Sequence, residues 1–205
     1  MAFSGQILDN PITGERILFT RTASDTKGEM LAFELELEPD GHAPGLHVHP
    51  IQEERFQVLA GTLEFKKGFR TVIAGEGETV VVPPGVIHRF SNGSDQPARA
   101  LVEVRPALKM ERLLETSTAL ARERRVMASG MPRPVDLALF MAQFEDEVRA
   151  PFVPAGVVRA VMAPLAWAGR KRGLGERYAG WPMRAPQSRR DARRPSDGAR
   201  RPRAR

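Results

Sequence analysis

Gly41-His-Ala-Pro-Gly-Leu-His47-Val-His49-Pro-Ile-Gln-Glu53-Glu54-Arg-Phe-Gln-Val-Leu-Ala-Gly61 is the stretch on which the reading of this chain turns. His47 and His49 stand two apart. In an extended strand that spacing sends both imidazoles to one face. Glu54 follows five residues after His49, so a carboxylate can return on the next strand. A second stretch, Gly77-Glu-Thr-Val-Val-Val-Pro83-Pro-Gly85-Val-Ile-His88-Arg-Phe-Ser-Asn92, supplies a third imidazole from a separate strand. Three imidazoles and one carboxylate make a mixed nitrogen and oxygen donor set that suits Fe, Mn, Ni, Cu or Zn. Four protein donors on a metal that prefers six leave positions open for water, oxygen or substrate. Glu53 competes with Glu54 for the fourth place. Strand alternation from Glu54 sends Phe56 and Val58 inward; from Glu53 it would bury Arg55 and Gln57, at the cost of burying polar and charged groups, so Glu54 is preferred.

Outward from these stretches, residues 15–105 read as short strands. Leu31, Phe33, Leu35 and Leu37 alternate with Ala32, Glu34, Glu36 and Glu38, a period of two with one face buried. Arg55–Ala60 meets Gly61 and continues into Thr62–Lys66, which reads as a hairpin. Further strands are expected at Thr71–Ala74, Thr79–Val82, Ile87–Ser91 and Ala100–Arg105. Short strands punctuated by Gly and Pro at this spacing predict a sandwich or barrel. His42, flanked by Gly41, Pro44 and Gly45, reads as a loop residue, and Asn92 as a strand terminator acting through a local side-chain bond.

The two stretches resemble the paired motifs of the cupin superfamily. Gly41, His47, His49, Glu54 and Gly61 fit its first motif, and Gly77, Pro83, Gly85, His88 and Asn92 fit its second, with a fifteen-residue spacer between them. The resemblance covers about 40–105, and loosely 15–40. It implies a mainly β fold, a double-stranded β-helix (jelly-roll) barrel, with His47, His49, Glu54 and His88 as ligands of a divalent transition metal. It also implies a homodimer, which would cover an exposed sheet edge.

Beyond Pro106 the pattern becomes helical. Met110, Leu113, Leu114, Ser117 and Leu120 predict a helix over about 108–126, and Leu137, Phe140, Met141, Phe144 and Val148 a second over 136–148. A third is expected from Pro154 to about Arg172, kinked at Pro164. Its apolar face, Val157, Val158, Val161, Met162 and Leu165, followed by Arg170, Lys171 and Arg172, fits either packing against the barrel or a second subunit, or weak contact of 153–172 with a membrane surface. Packing is the preferred reading. The expected organisation is therefore a barrel domain over 1–106 with core motifs at 41–92, a helical extension over 107–183, and a basic disordered tail over 184–205.

Composition bounds the function. The net charge of +6 misleads, because residues 184–205 hold nine Arg and two Asp, +7, which leaves −1 on the other 183 residues. No specific nucleic-acid binding is expected of the body. The absence of cysteine excludes disulfides and thiolate metal sites. Nothing resembles a targeting signal or a spanning segment, so the default expectation is a cytoplasmic protein. The inward positions Leu35, Leu37, Phe56, Val58, Phe90, Val102 and Val104 suit a flat or apolar small molecule better than a polyhydroxylated sugar, whose hydroxyls need many polar partners. Two readings follow: a metal-dependent oxygenase, or related lyase or isomerase, in which Glu54 is the candidate proton acceptor; or a module that senses a small ligand and signals through its helices. A purely structural metal ranks below both, because closed sites serve stability better.

Overall fold

The computed structural model describes residues 2–175. The expected disordered tail over 184–205 lies outside the described residues. In chain order the elements are β1 (Ile7–Asn10), β2 (Glu15–Arg21), β3 (Leu31–Leu37), β4 (Glu53–Ala60), β5 (Thr62–Lys67), β6 (Arg70–Gly75), β7 (Thr79–Val82), β8 (His88–Ser91), β9 (Ala98–Arg105), α1 (Met110–Arg122), α2 (Pro134–Gln143) and α3 (Ala155–Lys171). The sequence pattern predicts most of these; β1 was not expected.

One antiparallel sheet has the order β1-β2-β3-β9-β4-β7 and the other β6-β5-β8. The segment from Gly41 to His47 runs beside β8 and widens the smaller sheet. Ala43 N–H donates to Phe90 O (3.0 Å), and His47 and His88 exchange main-chain hydrogen bonds (3.0 and 2.9 Å). The two sheets close a jelly-roll barrel whose interior is filled by alternate residues of each strand. Phe56 of the larger sheet meets Phe65 and Phe90 of the smaller one at ring-centroid distances of 5.0 and 5.2 Å. Each such ring, once buried, contributes about 1.5–3 kcal/mol, so this trio is a main clamp between the sheets.

The hairpin expected at Gly61 does not form. β4 pairs with β9 and β7, whereas β5 pairs with β6 and β8. Gly61 is where the chain crosses from one sheet to the other. Its φ is +72°, and a Cβ there would stand 2.8 Å from Pro97 O, so glycine is required by both conformation and space.

α1 packs along β1, tied by Gln6 Nε2 donating to Glu115 Oε1 (2.8 Å) and Arg122 Nε donating to Asp9 O (3.0 Å). α2 and α3 pack on each other around Leu120, Leu139, Phe140, Phe144 and Ala166. Gly169 permits their close approach, since a Cβ there would meet Leu139 Cδ1 at 2.9 Å. Asp136, buried at the start of α2, takes a two-point contact from Arg125 (3.0 and 2.7 Å).

α2 stops at Gln143, short of the expected Val148. Phe144 O accepts from the N–H groups of both Glu147 and Val148 (3.1 and 2.9 Å for the bonds to Phe144), and the turn sends the chain toward the barrel. α3 begins after Pro154 and runs unbroken through Pro164. Its buried residues, Ala166 and Gly169, pack on α2, whereas Val157, Val161 and Leu165 of the expected apolar face, and Trp167, are exposed. No helix among the described residues is long and apolar enough to cross a membrane.

Candidate metal centre

His47 and His49 lie on one side of an extended segment whose intervening Val48 is held by Arg149 through paired main-chain bonds (3.1 and 2.9 Å). His88 opens β8, and Glu54 is the second residue of β4, in phase with buried Phe56 and Val58 and out of phase with exposed Arg55 and Gln57. Glu53 falls on the opposite face of the strand. Gln52, fully buried, anchors the entry to β4 by donating to Pro106 O and Ala107 O (2.9 and 3.1 Å). Asn92 does more than end β8. Its Nδ2 donates to Leu37 O, Glu38 O and Gln96 O, and its Oδ1 accepts from Ser94, so it fastens the end of β8 to β3.

The structure brings His47, His49, Glu54 and His88 together, with one donor atom from each lying within 4.8 Å of all the others. Donors at about 2.1 Å from one ion stand at most about 4.2 Å apart, so a cluster whose donors lie within 4.8 Å needs only a small inward shift of its side chains to hold one ion. His42 is not part of it; its Nδ1 contacts Asp40 O (3.2 Å), and it sits in an isolated bridge to Ser91.

The second nitrogens decide the chemistry. His47 Nδ1 faces Gly45 O (2.9 Å), His88 Nδ1 faces Val86 O (3.0 Å), and His49 Nδ1 faces Glu147 O. A carbonyl oxygen can only accept, so each Nδ1 carries the hydrogen and each neutral ring presents an Nε2 lone pair to the centre. Glu54 stands among them, with Oε2 2.9 Å from His88 Nε2 and Oε1 3.4 Å from His49 Nε2. Lone pairs and a carboxylate facing one another at these distances require a cation between them, either a proton or a metal. His49 Nε2 is buried without a hydrogen-bond partner, which fits a nitrogen reserved for an ion.

Burial is the largest influence on His47, His49 and Glu54. It pushes His47 down to about 3, helped by the neighbouring His49 and His88. For His49 burial also pulls downward, yet the charge and contact of Glu54, with Glu147 behind, raise it overall. Burial pulls Glu54 upward, but His49 and His88 hold it well below the usual carboxylate range.

A cavity of about 290 Å³ opens beside the cluster, lined by His47, His49 and Glu54 and by apolar residues of both the barrel and the helices. Of the seven inward positions expected near the ligands, Leu35, Phe56 and Phe90 line it. Leu37, Val58, Val102 and Val104 are buried in the barrel core instead. The outer wall comes from the extension: Leu113 and Leu114 of α1, Phe140 and Met141 of α2, and Val158 and Met162 of α3.

Two participants were not expected. The carbonyl of Glu147 has no sequence signature, because any residue supplies one. Glu15 also lines the cavity, on the inward face of β2 with Ile17 and Phe19. Its signal was present, since Glu15, Ile17 and Phe19 alternate at period two, but an acidic residue in that register reads as a strand end. Burial pushes its carboxyl up to about 7, against a hydrogen bond from Thr13 Oγ1 to Oε2 (2.6 Å).

A jelly-roll barrel with three imidazoles and a carboxylate converging at one end of an apolar cavity defines the class of this protein. Residues 33–104 match the family model described as "Cupin domain", so the chain carries a cupin domain over that segment. Among solved structures it is similar to a sugar phosphate isomerase of the cupin superfamily from Silicibacter pomeroyi (25% identity, 46% of this chain and 60% of that one, TM-score 0.41). It is also similar to a predicted oxalate decarboxylase from Thermotoga maritima (18%, 49% and 90%, TM-score 0.45) and an RmlC-like cupin from Shewanella frigidimarina (15%, 54% and 94%, TM-score 0.45). No protein of curated function matches the sequence.

Proposed function

We propose that His47, His49, Glu54 and His88 hold a divalent transition metal, Fe, Mn, Ni, Cu or Zn, and that the adjoining cavity takes a small apolar or aromatic molecule as substrate. The reaction class is that of a metal-dependent oxygenase, or a related lyase or isomerase. The observation that carries this reading is the common arrangement of the three imidazoles: each Nδ1 is committed to a main-chain carbonyl, which leaves each Nε2 as the free donor, and His49 and His88 bring theirs to 3.4 and 2.9 Å from Glu54. A bound metal supplies a Lewis acid and a coordination position for a substrate oxygen. The chain supplies the rest. Phe56, Phe90, Leu35 and the helical wall hold an apolar body and exclude water, and Glu54 is the carboxylate placed to accept a proton from a group bound at that point.

Elemental analysis of protein purified without added metal, followed by loading with Fe, Mn, Ni or Cu and oxygen-uptake measurements on aromatic diols, tests this. Stoichiometric metal and uptake with one of them are expected. A protein that retains no metal after purification or loading would remove the proposal's basis.

One observation favours a second reading, a ligand-sensing module. The main chain of 147–149 is bonded both to His49 and to Val48, so the helical extension is mechanically joined to the cluster. In that reading metal or ligand changes amide hydrogen exchange across α2 and α3. Equal exchange in the free and loaded protein would discard it. Either reading is compatible with a homodimer, for which the edge strand β6, with exposed Ile73, and the exposed Phe69 beside it offer an unpaired surface. Sedimentation of the full chain checks this.

A further inference from the structure

The register of the larger sheet sets two carboxyl groups at opposite corners of the cavity. Glu54 lies opposite Val104, which lies opposite Leu31, the first residue of β3. Glu15 lies opposite Leu37, the last residue of β3. Between them the cavity-lining residues step diagonally across the sheet: Phe56 on β4, Phe33 and Leu35 on β3, and Ile17 on β2. An apolar stripe thus runs from the metal-ligand cluster to Glu15.

A carboxyl at the far end of an apolar stripe needs a reason, because burying it costs free energy unless it is neutral or paired. Its neighbours do not pair it. Its register partners are Asn10 on β1 and Leu37 on β3, and α1 presents Met110, Leu113, Leu114 and Ser117 to the cavity. The charged and titratable groups around the cavity are His47, His49 and Glu54 at the cluster and Arg149 on the extension. Thr13 and Asn10 occupy Oε2, while Oε1 has no hydrogen-bond partner among the described residues. A carboxyl with one oxygen fixed and the other unpartnered, on a residue that lines an apolar cavity, is built to bond a ligand.

We propose that Glu15 is the second polar contact of the cavity, hydrogen-bonding a hydroxyl or carbonyl on the end of an apolar ligand remote from the His–Glu cluster. The ligand class is accordingly an apolar or aromatic body with polar groups at both ends. This rests on the reading of the cavity as a site for apolar molecules, and is independent of whether a metal is bound. The burial that favours the neutral carboxyl makes it a hydrogen-bond donor below about neutral pH.

The test uses the metal-free full chain at pH 6 with two probes, naphthalene and 2-naphthol, followed by fluorescence titration. The wild type is expected to bind 2-naphthol up to about tenfold more tightly than naphthalene, the range of one net hydrogen bond. Glu15→Leu should erase that margin and keep naphthalene affinity. Infrared spectra provide a measurement that survives any loss of affinity: a protonated-carboxyl band at pH 6, absent from Glu15→Gln, should shift when 2-naphthol binds. A margin that persists in Glu15→Leu overturns the proposal. Failure of the wild type to bind naphthalene overturns both this proposal and the apolar-cavity reading; failure of the margin alone overturns only this one.

Discussion

His49 donates its Nδ1 hydrogen to the main-chain carbonyl of Glu147, ninety-eight residues further along the chain. The bond fixes the tautomer and orientation of an imidazole at the cluster's centre, so the helical extension supplies part of the site's support as well as the wall of its cavity. The described part of the extension, up to residue 175, thus contributes directly to the site.

Loosening that support should weaken metal binding without touching a ligand. Glu147 Oε1 accepts the N–H of Lys109 (3.0 Å) and so pins the segment that carries the carbonyl. Glu147→Ala should lower Zn affinity by about tenfold, within the usual range for outer-shell partners. Calorimetric titration measures it, and an unchanged affinity would show that His49 is oriented by its own loop.

Among the ligand candidates, Ala substitution of His47, His49, His88 or Glu54 should each abolish the visible absorption of a Co-loaded protein. Glu53→Ala should leave it intact, because Glu53 lies on the other face of β4. Loss of the signal in Glu53→Ala, with retention in Glu54→Ala, would reverse the assignment made on strand alternation.

The sequence made the cluster legible because its spacing is local: two imidazoles at period two, a carboxylate in phase with Phe56, and an imidazole heading its own strand. Strand order is not local. Ala60 and Thr62 flank a glycine and look like two arms of a hairpin, yet Ala60 pairs with Arg99 of β9 and Thr62 with Gly75 of β6. The end of α2 was missed for a similar reason. Phe144 and Val148 keep the helical apolar period, but Val148 reaches the cavity from a turn, because residues 147–149 are bonded to His49 and Val48. Glu15 illustrates the third kind of miss, a polar residue on an inward register, where pattern alone gives no hint of a cavity.

Metal and proton compete for His49. Its affinity for a proton is raised in the folded cluster, chiefly by Glu54 acting against burial, so below that pKa a metal must displace one proton. Apparent Zn affinity should therefore rise about tenfold per pH unit until His49 has lost its proton, then level off. Titrations from pH 5.5 to 8 at fixed ionic strength measure the slope, and a flat profile would mean that no proton is released.

Glu15 should leave a mark on stability with the opposite sign to that of an ordinary salt-bridged carboxylate. Burial pushes its folded pKa up to about 7, above the ordinary 4.5, so between those limits the unfolded chain releases a proton that the folded chain keeps. Stability contributed at this position is then present in full below pH 4.5, falls as pH rises toward about 7, and is constant above it. Glu15→Gln removes the titration while keeping an acceptor for Thr13. The difference in unfolding free energy between Glu15→Gln and the wild type should therefore grow in favour of the variant across that window, by roughly 1–3 kcal/mol for a carboxyl that partly faces a cavity. Urea denaturation of the metal-free proteins at pH 4.5 and pH 8 checks it. A difference that stays constant between those two conditions would mean that the Glu15 carboxyl titrates in the folded protein as it does in the unfolded one.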